Sequence, residues 1–73
     1  MVKTDWEKQA SNLLKAELTR RGIGYEALRV ALAEIGIEKT AANINKTING
    51  GKFSFAFFLQ CSKAVGLEKV ILV

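Results

Sequence analysis

Histidine and proline are missing from this 73-residue chain, and cysteine appears once, as Cys61. A lone cysteine can close no intramolecular disulfide, and without histidine the chain cannot assemble the Cys/His set of a structural metal site. Stability must therefore come from packing. Also missing are an apolar run approaching the roughly 20 residues that span a bilayer and a cationic segment leading into an apolar one, as in a signal peptide. A reducing cytoplasm and no membrane partner are the resulting expectations. Repeats, proline-rich linkers and low-complexity segments are absent as well. A chain this short has room for one small core, so a single domain over residues 1–73 is expected, without a deep cleft. Cys61 falls on a core helix, and the acidic residues form neither a carboxylate pair nor a Ser/Lys constellation. An enzyme is accordingly not expected, nor a cofactor, nor a small-molecule substrate.

What is present is apolar, basic and periodic. Hydrophobic residues make up 49% of the chain, too many for a disordered segment, and a net charge of +4 favours an anionic partner without naming one. Thr4 followed by Glu7 reads as a capping box, after which Trp6, Ala10, Leu13, Leu14 and Leu18 form one apolar stripe. Glu17 is spaced to pair with Arg21, and Gly22 stops the helix. Ala27, Leu28, Ala31, Leu32 and Ile35 repeat the period in a second helix that Gly36 ends, and Ile37 is expected to plug the core. Thr40 caps a third helix that runs to Asn49 before Gly50 and Gly51. Ser54 caps a fourth, with Phe53 and Phe58 as a hydrophobic staple and Phe55, Phe58, Leu59, Ser62 and Val65 as its stripe, adjoined by Phe57 and Cys61. The expected helices are thus about 5–21, 25–35, 41–49 and 55–65. The closing segment LEKVILV, residues 67–73, reads as a short strand or extended tail whose apolar end, Val70 to Val73, is a surface through which two copies would meet as a homodimer.

The third helix differs from the others. Ile44 and Ile48 share one face, while Ala42, Asn43, Asn45, Lys46 and Asn49 carry the other. Asn can pair bidentately with adenine and Lys with guanine, so a short, amide-rich, cationic face suits a DNA groove. An ordinary solvated face is the plainer alternative, and only as a cluster do these residues exceed it.

The segments LLKAELTRRGIGYEALRVAL, INKTINGGK and SFAFFLQCSKAVGL together resemble the helix-turn-helix domains of the phage repressor and Cro superfamily. WEKQASNLLKAELTRRG with GGKFSFAFFLQCSKAVG is also similar to a small bacterial domain family of uncharacterised function, marked by its tryptophan start and FFLQC segment. The resemblance implies an all-α fold, a compact bundle of four to five short helices containing a helix-turn-helix, with the apolar tail appended. It further implies a bacterial or phage-type transcriptional regulator whose partner is double-stranded DNA, with the third helix in the major groove and the second across the backbone. Asn43, Asn45 and Lys46 would then face bases. Lys39, Thr40, Asn49 and Lys52 would hold phosphates, with Tyr25 and Arg29 near the backbone. Where the superfamily places a phosphate-touching Gln, this chain has Tyr25, whose hydroxyl can donate the same bond. The connection before the third helix is about two residues longer than the superfamily's. That extra length and the apolar tail favour the alternative, a protein-interaction or assembly module that keeps the fold and lacks DNA binding.

Overall fold

The computed structural model describes residues 4–67. They form four α-helices and no strand: α1 Asp5–Arg20, α2 Tyr25–Glu34, α3 Ala41–Gly50 and α4 Phe55–Val65. Three of the four starts are fixed by a hydroxyl that accepts an otherwise orphaned N–H. The Thr4 hydroxyl accepts from Glu7 at 3.1 Å while the Glu7 carboxylate accepts the Thr4 N–H at 2.7 Å, completing the capping box. Thr40 accepts from Asn43 and Ser54 from Phe57, each at 3.0 Å. α2 begins at Gly24, which offers no such group.

Each helix gives the core one pair of residues four apart: Leu14 and Leu18, Leu28 and Leu32, Ile44 and Ile48, Phe57 and Cys61. That spacing puts both members on one face, so four short helices can each bury a narrow stripe. Burying a side chain of this size stabilises by roughly 1.5–3 kcal/mol, which must offset the ordering of the backbone around it. α2 packs against both α3 and α4, and α1 packs chiefly on α3. Ile37, directed inward by its N–H bond to the Leu32 carbonyl at 2.9 Å, packs against the cluster from the α2–α3 connection.

Gly51 is where α3 meets the start of α1. Its φ of +73° lies in the left-handed region, and a Cβ built on it would sit 2.2 Å from the Glu7 carbonyl oxygen. Only glycine satisfies both demands. The glycine thus lets the neighbouring helix lie directly against the end of α3.

The buried faces depart from the sequence pattern in three places. On α4 the inward residues are Phe57 and Cys61, whereas Phe55 is 72% and Leu59 51% exposed. Apolar residues at 53, 55, 57, 58 and 59 cover nearly every direction around the first turns, so periodicity alone cannot choose among them. Packing chooses: the Phe53 ring meets Phe57, with centroids 5.8 Å apart, and Phe58 instead stacks on Phe55 at 6.1 Å. On α1, Trp6 is 78% exposed, because the buried face passes through Ser11, Leu14 and Leu18 and the first turn meets Gly51 at Glu7, one position and about 100° away from Trp6. At the other end of α1 the buried Glu17 carboxylate accepts from Arg20 at 2.7 Å, and Arg21 reaches the Val65 carbonyl at 3.5 Å. On α2, Ala27 and Ile35 are exposed, leaving Leu28 and Leu32 as its buried pair.

Among the described residues no helix is long and apolar enough to cross a membrane. Apart from Leu67, the apolar tail of residues 67–73 and its dimer contact lie outside the described residues.

Candidate nucleic-acid interface

α3 separates its side chains by polarity. Ile44 and Ile48 are fully buried, while Ala42, Asn43, Asn45 and Lys46 are exposed. No acidic residue occurs between Thr40 and Lys52, so nothing on this segment neutralises Lys46. The side chains of Asn43 and Lys46 make no hydrogen bond or ion pair among the described residues, and both are available to a ligand.

At the start of α3, Lys39, Thr40 and Asn43 border one open depression together with Glu38. The Thr40 hydroxyl spends its acceptor on the Asn43 N–H and keeps its hydrogen to donate. Lys39 lies over the Phe57 ring with its ammonium 5.8 Å from the centroid, so the core aromatic steadies a cation at the mouth of this depression.

The far end of α3 is organised around Asn49. Its side-chain oxygen accepts from the Lys15 ammonium at 2.8 Å, and its amide nitrogen donates to the Tyr25 hydroxyl at 3.1 Å and to the Asn45 carbonyl at 2.9 Å. The Asn45 side-chain oxygen also accepts from it. One amide thus ties α1, α2 and α3 together, and Tyr25, Asn45 and Asn49 are brought into one cluster. Lys15 belongs to it too, and the sequence reading missed it. Within α1 it falls off the apolar stripe and reads as a solvated residue, and nothing local signals that α3 lies beside it.

Two of the expected phosphate contacts stand apart. Arg29 is held by Glu26 through Nε–Oε1 at 2.9 Å and Nη2–Oε2 at 2.5 Å. That bond lowers the Glu26 carboxyl below its ordinary range and raises the Arg29 guanidinium, each stabilised in its charged form by the other. Glu26 is exposed and Arg29 only half-buried, so the pair contributes little to stability. Lys52, past the end of α3, lies 3.8 Å from the Glu7 carboxylate in a loose ion pair, with its side chain as a whole 60% exposed.

Comparison with curated proteins and with solved structures finds no match. A family model does match, over residues 6–70, nearly the whole chain. The chain belongs to the DUF6471 family, a domain of unknown function.

Proposed function

We propose that this domain binds double-stranded DNA as a helix-turn-helix module of phage repressor/Cro type, serving in a transcriptional regulator. In this reading α3 enters the major groove and α2 crosses the backbone. The observation that carries the reading is the outer face of α3: exposed Asn43, Asn45 and Lys46 on a segment free of acidic residues, held rigid by two fully buried isoleucines. Amides and a lysine are the side chains that address adenine and guanine edges, and a fixed helix presents them at one register. Lys39 and Thr40 at one end of α3, and Lys52 at the other, supply phosphate contacts, with Tyr25, Arg29 and Asn49 toward the backbone.

Equilibrium binding to random duplex DNA across a salt series tests this. A steep inverse dependence on salt is expected, with Lys52→Ala reducing the slope by about one and weakening all sequences alike. At a selected site Asn43→Ala is expected to lose about 1–3 kcal/mol and relax preference at one base position. No binding at low salt refutes the reading. That result would favour a protein-interaction module, for which the exposed Phe55 and Leu59 on α4 are the supporting observation.

A further inference from the structure

We infer that Asn49 is a positioning residue, and that it sets the Lys15 ammonium and the Tyr25 hydroxyl side by side as a clamp for the phosphodiester backbone, at the junction of α1, α2 and α3. This rests on the DNA reading and adds Lys15 to it, while moving Asn49 from direct contact to support.

Hydrogen-bond chemistry fixes the polarity of the junction. Lysine can only donate, so the Asn49 oxygen must be the atom facing Lys15 at 2.8 Å. The Asn49 NH2 therefore faces Tyr25 at 3.1 Å and the Asn45 carbonyl at 2.9 Å, both of which accept. The opposite amide orientation would set donor against donor at Lys15. Because the Tyr25 oxygen is already accepting, its one hydrogen is directed elsewhere, and Lys15 retains two N–H groups beyond the one given to Asn49. Beside these donors lies a concavity lined by Lys15, Leu18, Thr19, Ile23, Gly24 and Tyr25. Thr19 adds a third hydroxyl-bearing or cationic side chain, and among the described residues no carboxylate lines the space. A cation and two hydroxyls bordering one hollow are complementary to phosphate oxygens, which only accept.

The junction is also partly buried, so its groups are ordered before any ligand arrives. An exposed lysine must lose rotamer freedom when it contacts a phosphate. Lys15, anchored by Asn49, loses less.

The test uses Lys15→Gln, Tyr25→Phe and Asn49→Ala in the full chain. Each is checked first by thermal melting and then by binding to random duplex DNA over a salt series. Lys15→Gln is expected to lower the salt slope by about one. Tyr25→Phe is expected to weaken binding about tenfold at unchanged slope, since it removes a neutral donor to a charged acceptor. Asn49→Ala, which removes no charge, is expected to lower the slope as Lys15→Gln does, and adding Lys15→Gln to it is expected to take away little more. A purely structural role for Asn49 would change the melting temperature and leave the slope alone. If the parent binds DNA while folded Lys15→Gln and Tyr25→Phe variants keep its affinity and slope, the clamp is refuted and the DNA reading stands. Should the parent show no salt-dependent binding, the DNA reading fails and takes the clamp with it. Should Asn49→Ala not fold, the other two variants decide.

Discussion

α3 and α4 are built to nearly the same plan. Each is capped by a hydroxyl, ends at a left-handed glycine and buries one pair of residues four apart. They differ in what the plan leaves outside. α3 turns asparagines and a lysine to solvent, while α4 turns Phe55 and Leu59 outward. The hydrophobic core therefore takes only two buried apolar positions from each of these helices, and the outward surface is available for recognition chemistry on one helix and carries apolar area on the other. Reading function from this molecule means asking what each helix does with the positions packing does not claim.

Four measurements break or sharpen that contrast. The largest effect is expected at Phe57: Phe57→Ala removes a buried ring and its partner contact with Phe53, and equilibrium unfolding should register a loss of about 3–5 kcal/mol. A loss no larger than that of Phe55→Ser would mean that the two rings are not divided between core and solvent.

The two glycine ends should separate next. Gly66 has a φ of +74° and, among the described residues, nothing within 4 Å of its missing side chain, so Gly66→Ala is expected to carry only the left-handed penalty, about 1–2 kcal/mol. Gly51→Ala carries that penalty plus a collision with the backbone of Glu7, and about 3 kcal/mol or more is expected. Equal melting temperatures for the two variants would deny the close approach of α1 and α3.

The third contrast is chemical. α4 places a titratable group in the core and α3 places none. Burial pushes the Cys61 thiol from its ordinary 9.0 up to about 11, against a smaller opposing pull from Lys39. The folded state thus holds its proton more tightly than the unfolded chain. The associated stability is complete below pH 9 and is lost as pH rises toward 11, by on the order of 2 kcal/mol. Comparing the parent with Cys61→Ala across that range isolates the effect, since the alanine variant should lack this alkaline decline.

The smallest effect is expected at Phe55. Because it is mostly exposed, Phe55→Ser should shift unfolding by no more than about 0.5 kcal/mol. A larger loss would mean that something covers this face in solution.

The helices and their punctuation were legible in the sequence because their causes are local. Thr4 with Glu7, Thr40, Ser54, Gly22 and Gly66 act within a turn of where they stand. Which phenylalanine enters the core was not legible, since Phe53, Phe55, Phe57 and Phe58 differ only in how they meet α2 and one another. The candidate interface divides the same way. The exposed amides of α3 follow from the positions of Ile44 and Ile48. The bonds of Asn49 depend on Lys15 and Tyr25, which chain distance separates and only the assembled bundle brings near.

The meeting of Gly51 with Glu7 bears on the order in which the molecule opens. α1 is joined to the rest chiefly through α3, and closing that contact requires a long stretch of intervening chain to be gathered first. Detachment of α1 leaves α2 packed against both α3 and α4, and the amide protons of α1 should exchange through a partial opening of that kind. Such an opening frees Gly51 and breaks the bond from Lys15 to Asn49 in one event, loosening the last turns of α3. The steadiness of the polar helix is set by a helix that supplies none of its exposed face.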